Sequence, residues 1–186
     1  LPISRDPVPT VGGANLYLPK GPMDQRGLAS RQDILRFQSD PLLQPLEVTG
    51  RITLELFIST DVPDTTFMAK LIDVYPDGYE ALVQDSAIMA RYHKGLDKGE
   101  PLEKDKVYKL AIDLWSTSLV FNKGHRIAVH VASSNHPRYE VHPNSYEPVM
   151  SYEKAPVANQ TVHLSKQHPS RLLLPVIAPG ASINYP

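Results

Sequence analysis

The sequence predicts an all-β fold, a sandwich or barrel of antiparallel strands, on the strength of three observations. Apolar residues alternate at period two in several runs, the 18 prolines stand mainly between those runs, and no stretch keeps a helical period. At 186 residues the chain fits one domain, large enough to bury roughly 70% of its unfolded surface.

Residues 1–45 are proline-rich and irregular, as in "DPVPTVGG", "LPKGPMDQRG" and "SDPLLQPL". They are expected to form an ordered arm across the domain, because Leu16, Tyr17, Leu18, Ile34, Leu35 and Phe37 need somewhere to bury. Asp24, Arg26, Arg31 and Asp33 within it suggest buried or interface ion pairs, so Arg26→Ala and Asp33→Ala are both expected to cost more than an ordinary surface change.

From Val48 onward the pattern turns strand-like. "GRITLELFISTD" places Ile52, Leu54, Leu56 and Ile58 on one face, with Thr53, Glu55 and Ser59 on the other. "TTFMAKLIDVYPDG" ends in Pro76-Asp77-Gly78, a turn in which Pro presets φ and Gly accepts a positive one. "YEALVQDSAIMARYH", "KVYKLAIDLWSTSLVF", "HRIAVHVASS", "QTVHLS" and "RLLLPVI" follow, and in the second of these Tyr108, Leu110, Ile112 and Leu114 alternate with Lys109 and Asp113. The expected layout is an arm at 1–45, a sandwich at 46–177 and a tail at 178–186, with no internal repeat.

Several chemistries are excluded by composition. A net charge of −1 without a Lys/Arg run argues against a nucleic-acid groove or an anionic membrane surface as partner. The absence of cysteine removes disulfides and thiolate catalysis, and no apolar run approaches the roughly eighteen residues of a membrane span. The chain opens Leu1-Pro2 without Met or an apolar leader, as a fragment or a processed product would.

No nucleophile elbow, G-x-S-x-G, is present, and nothing in the spacing joins Asp, His and Ser into a triad. His125, His130, His136 and His142 fall in one stretch, "HRIAVHVASSNHPRYEVH". On a strand, His125 and His130 point to opposite faces. His136 and His142 share a proline-flanked loop with Glu140, which a fold could gather into a His-His-carboxylate set. Hydrogen-bonded or solvated loop histidines are the plainer reading. "DVYPDGYE" offers Asp73, Asp77 and Glu80 without the spacing of a calcium loop, so a turn is expected there. Trp115, the only tryptophan, closes an alternating strand, where core packing is expected rather than a sugar platform.

Longer blocks carry more information. "DPVPTVGG", "GPMDQR", "RQDILRF", "TDVPDTTFMAKLIDVYPDG" and "GHRIAVHVASSNHPRY" stand in unbroken order between about Asp6 and Val176. Together they resemble the C-terminal jelly-roll domain of the cocaine-esterase and X-prolyl dipeptidyl-peptidase (CocE/NonD) family of serine hydrolases. The resemblance implies a galactose-binding-like jelly-roll β-sandwich that follows an α/β-hydrolase domain and its inserted helical cap. The Ser–His–Asp triad then lies in that hydrolase domain, and this chain carries no catalytic residue, metal or cofactor.

The partners implied are the chain's own hydrolase and cap domains. An excised domain would expose the apolar patch they cover and self-associate. The segment Gly12–Tyr17 resembles the part of the sandwich that reaches toward the active site, which makes Leu16 and Tyr17 candidates for its wall on the acyl side. The bland alternative is that both residues only pin the arm. Gly124, His125 and Arg126 match a frame position of the family, whereas His136 stands where relatives usually carry Phe and His142 where they usually carry Asn. A stand-alone jelly-roll carbohydrate-binding module is the competing function.

Overall fold

The computed structural model describes residues 6–146 and 155–178, and its described residues form nine strands and two short 3₁₀ turns. The strands are β1 (Leu35–Gln38), β2 (Leu46–Thr60), β3 (Thr66–Val74), β4 (Glu80–Met89), β5 (Tyr108–Phe121), β6 (Arg126–Ala132), β7 (Gln160–His163), β8 (Arg171–Leu173) and β9 (Val176–Ile177). One sheet runs β1-β6-β3-β4. The other is built on β2, with β5 on one side and β7, β8 and β9 spaced along the opposite side. Every ladder among these strands is antiparallel. The fold is the all-β sandwich that the alternation predicts.

The period-two faces meet in the core. Ile52, Leu54, Leu56 and Ile58 of β2 and Leu110, Ile112 and Leu114 of β5 pack against Phe67, Ala69 and Leu71 of β3 and Val129 and Val131 of β6. The β2–β5 ladder slips between Arg51 and Thr53, where one residue of β2, Ile52, faces two of β5, Leu114 and Trp115. Such a bulge flips the parity of a strand. Inward positions run 110, 112 and 114 before it, and 117, 119 and 121 after it. Trp115 is the inserted residue, with φ +65 and a side chain 69% exposed. The expectation that Trp115 packs in the core is therefore corrected: Leu114 holds the inward place, and the bulge turns the indole to solvent.

All nine residues of β3 are buried, which explains a run too apolar to alternate. Its outer face lies beneath the N-terminal segment. Val8, Leu28 and Ile34 pack with Ala132, while Ile72, Val74, Leu82 and Ala128 form a neighbouring cluster. Within residues 1–45, Gln25–Leu28 forms a 3₁₀ turn capped by the Asp24 side chain, and Leu35–Gln38 pairs with β6. Leu16 and Tyr17 find no such cover, at 81% and 97% exposure.

The two ion pairs expected here differ in setting. Arg31 binds Asp33 at 2.6 Å with both side chains mostly buried, and also reaches Asp6 at 2.9 Å. Arg26 binds Asp24 at 2.7 Å, but its guanidinium is half exposed. Asp33→Ala should cost roughly 1–3 kcal/mol for the acceptor lost to Arg31. Arg26→Ala should cost no more than an ordinary surface change, contrary to the expectation from sequence, because water replaces an exposed partner. Urea melts that rank the two the other way would contradict this division.

Candidate functional site

The four histidines are placed separately. His125, just before β6, donates from Nδ1 to Asp73 Oδ1 at 2.9 Å and lies against the Tyr75 ring at 4.4 Å. His130 pairs in register with Arg36 of β1 and Lys70 of β3. His136 meets the arm through its backbone: its N–H donates to Val8 O, and its carbonyl accepts from the Thr10 N–H. His142 is buried, with Nε2 3.0 Å from Asp64 Oδ2 and Nδ1 accepting the Asn144 N–H at 3.0 Å. Among the described residues no three His, Asp or Glu side chains converge as metal ligands, and His136, Glu140 and His142 do not gather. Nor do Asp73, Asp77 and Glu80: Asp73 is bonded to His125, and Asp77 accepts the Tyr79 N–H within the turn.

Among the described residues the parts of a catalytic triad occur only as pairs. Asp64 with His142 and Asp73 with His125 have no serine seated on the imidazole among the described residues. Ser59 Oγ lies 3.0 Å from His163 Nε2 across the β2–β7 ladder, with no carboxylate of the described residues paired to that ring. In the Asp64 pair, the amide on Nδ1 fixes the proton on Nε2, where it faces the carboxylate. That imidazole has no lone pair left to accept a proton from a nucleophile. It acts as a brace.

Asp64 is the centre of that brace. Its fully buried carboxylate accepts from His142, from the Arg91 N–H at 2.9 Å and from Arg91 Nε. Burial alone would push this carboxyl up, but the His142 and Arg91 hydrogen bonds outweigh it and hold Asp64 below the ordinary range. Arg91 goes on to donate to the Ser145 and Tyr146 carbonyls, at 3.2 and 3.1 Å. The β2–β3 connection, the turn after β4 and the loop at 142–146 are thereby tied together.

A second polar layer lies between the sheet and the arm. Arg36, His130, Lys70 and Asp85 stand side by side across β1, β6, β3 and β4. Lys70 donates to the buried Gln25 Oε1 at 3.0 Å, and Gln25 Nε2 donates to the Val11 and Met23 carbonyls. Asp85 accepts from Asn135 at 3.0 Å and Arg138 at 2.7 Å. Burial, against the pull of Asp85, lowers Lys70 to about 8. Burial together with the charges of Arg36 and Lys70 brings His130 down to about 4. No sequence motif marks this layer, although a lysine inside "TFMAKLIDV" signals a buried polar partner.

Out of this layer rises the loop that carries Leu16 and Tyr17. Gly13 and Gly21 exchange backbone hydrogen bonds at 2.9 and 3.1 Å, closing residues 14–20 into a loop. Asn15 fills its middle, accepting the Leu18 N–H at 2.9 Å and donating to the Gly12 and Pro19 carbonyls. A β-carbon on Gly13, whose φ is +94, would lie 2.8 Å from Arg138 Nη1 and 3.1 Å from Asp85 Oδ1, so the loop root rests directly on that ion pair. The structure thus holds a braced loop with two apolar side chains in solvent, and neither side chain pins the arm.

The described residues thus form an antiparallel β-sandwich whose Asp64–His142 and Asp73–His125 pairs are braces and whose 14–20 loop carries two exposed apolar side chains. The chain belongs to the family of X-Pro dipeptidyl-peptidase C-terminal non-catalytic domains, whose pattern matches residues 14–173. It is 39% identical over 176 residues to cocaine esterase of Rhodococcus sp. (strain MB1 Bresler), an alignment covering 92% of this chain and 31% of that protein.

Among solved structures it is similar to an aminopeptidase from a marine sediment Thaumarchaeota archaeon, with TM-score 0.83 and 31% identity over 93% of this chain and 32% of that one. An α-amino acid ester hydrolase matches with TM-score 0.76 and 31% identity over 84% of this chain and 27% of that one. The chain therefore spans about a third or less of the length of these relatives. The resemblance to CocE/NonD hydrolases read from the sequence is borne out.

Proposed function

We propose that this chain serves as the non-catalytic C-terminal domain of a larger serine hydrolase of the ester, amide or X-prolyl peptide class. It packs on the hydrolase and cap domains of the same polypeptide and brings Leu16 and Tyr17 to the wall of the active site. The observation that carries this reading is the loop at 14–20, which is internally braced yet leaves Leu16 and Tyr17 81% and 97% exposed. Holding two large apolar side chains rigidly in water forgoes roughly 1.5–3 kcal/mol apiece, a loss that contact with another surface reverses. Leu16 offers apolar area to an acyl group, and Tyr17 adds a hydroxyl.

The test uses the full-length polypeptide and a series of p-nitrophenyl esters with acyl chains of increasing size. Leu16→Ala and Tyr17→Ala should each lower kcat/KM for bulky acyl groups roughly tenfold or more, and spare the acetyl ester, because a lost apolar contact is worth that much in a pocket. The 186-residue chain alone should hydrolyse none of them. Equal effects across the acyl series, or hydrolysis by the isolated chain, would remove this reading. The competing function, a stand-alone carbohydrate-binding module, is favoured by one observation, the exposure of Trp115.

A further inference from the structure

Trp115 poses a question that the fold alone leaves open. A bulge at this point of β5 needs one extra residue in the left-handed region, where asparagine or glycine sits with least strain. The sequence instead spends its one tryptophan there, at φ +65, with the indole 69% exposed. A bulky residue held in such a conformation points to a use for its position.

The surroundings show what that use is. The indole edges a groove of about 390 Å³ lined by Ile88, Tyr92, His93, Leu96 and Ala111. A second groove, of about 400 Å³ and lined by Ala14, Leu82, Val83, Thr117 and Leu119, begins at the root of the 14–20 loop. The two flank a single crossing, the Gln84 Nε2 bond to the Ser116 carbonyl at 2.8 Å. β4 and β5 are edge strands of their respective sheets, and both grooves follow the seam between them. The seam is thus a trough in two parts, a groove at the root of the loop that bears Leu16 and Tyr17 and a groove edged by Trp115 and the 79% exposed Leu96.

We infer that the β4–β5 seam is the surface on which the hydrolase portion of the polypeptide seats, with Trp115 as its aromatic anchor. This rests on the proposed function. Three observations select the occupant. The chain accounts for 31% of cocaine esterase, so more than two thirds of such a polypeptide lies outside it and needs a contact surface. The trough's first groove begins at the root of the loop that presents Leu16 and Tyr17, where Gly13, Ala14 and Gly21 line it.

Finally, three of the polar side chains around the indole are already engaged, which favours a protein surface over sugar hydroxyls. Asp113 accepts from Arg51 and from the Trp115 N–H, Lys94 binds Glu100 at 2.6 Å, and His93 Nδ1 meets the Ala90 carbonyl at 3.3 Å. An aromatic residue ringed by apolar and satisfied polar neighbours is the composition of an interface centre.

Thermal melts of two variants in two settings test the inference. Trp115→Asn keeps a residue that tolerates the left-handed region, and Leu43→Ala removes an 89% exposed side chain outside the trough. In the 186-residue chain, Trp115→Asn should melt at or above the parent temperature. In the full-length polypeptide it should melt roughly 3 °C or more lower, and trypsin should release the domain faster, while Leu43→Ala changes neither protein. The same response to Trp115→Asn in both settings would overturn the inference. So would binding of the isolated chain to an oligosaccharide array that disappears in Trp115→Asn, which would give the trough to sugar. A full-length polypeptide without serine-hydrolase activity would instead refute the proposed function.

Discussion

Replacing Asp64 with Ala is expected to destabilise the domain by roughly 3–5 kcal/mol, the cost of breaking a buried ion pair from one side. The carboxylate is fully buried and receives three hydrogen bonds, from His142, the Arg91 backbone and the Arg91 guanidinium. Without it, Arg91 keeps the Ser145 and Tyr146 carbonyls and the face of the Tyr146 ring at 4.7 Å, but its charge stays largely buried without a counter-charge. Asp64→Asn preserves shape while losing charge and an acceptor, and should fall between parent and Ala. The sign with pH follows from a carboxyl held below its ordinary range. Its contribution is complete above the usual carboxylate pKa and disappears as pH falls through the lower, folded value. A urea melt at neutral pH showing a loss under about 1 kcal/mol for Asp64→Ala, a surface-like value, would mean the brace is not structural.

The second large effect is a stability profile with two ramps. His130 titrates near 6.5 when unfolded and about 4 when folded, because burial and the Arg36 and Lys70 charges oppose its protonation. Lys70 titrates near 10.5 unfolded and about 8 folded, chiefly through burial. In both windows the unfolded chain binds more protons than the folded one, so stability rises with pH. The rise is expected to be about 3 kcal/mol between pH 4 and 6.5, and of similar size between pH 8 and 10.5, at about 1.36 kcal/mol per pKa unit. Glu80, 3.9 Å from His130 and raised by burial, works the other way in the acid window, where its contribution falls as pH rises. The diagnostic quantity is therefore the difference between parent and His130→Leu for the acid ramp, and between parent and Lys70→Met for the alkaline one. Parallel profiles for parent and variant in either window would show that the residue does not titrate in the folded layer as described.

Sequence alone made some of this legible because some of it is local. Ile52, Leu54, Leu56 and Ile58 lie at the period of their own strand, and their inward face needs no knowledge of any other segment. The same rule failed at Trp115, since one inserted residue reverses parity and only the partner strand records the slip. Leu16 and Tyr17 were legible as candidates through family resemblance. Their exposure was not, because apolar composition argues for burial whether the cover comes from this chain or another. The braces were hidden for a different reason. Asp64 and His142, or Lys70 and Gln25, are brought together only by sheet topology, and no spacing along the chain encodes that meeting. The pairing of His125 with Asp73 likewise spans 52 residues.

The arm over β3 has a consequence for the order in which this molecule is assembled. The Val8 N–H finds its acceptor in the Ser134 hydroxyl, 126 residues further along, and Thr10 bonds the carbonyl of Asn135. At a synthesis rate of roughly 5–20 residues per second, this segment waits on the order of ten seconds for the loop that receives it. Until then the segment lies over the outer face of β3, with Met68 and Ile72, without these two anchors. Closing so distant a contact is slow for any chain, and the nascent domain is most exposed to capture by chaperones or by other chains during that interval.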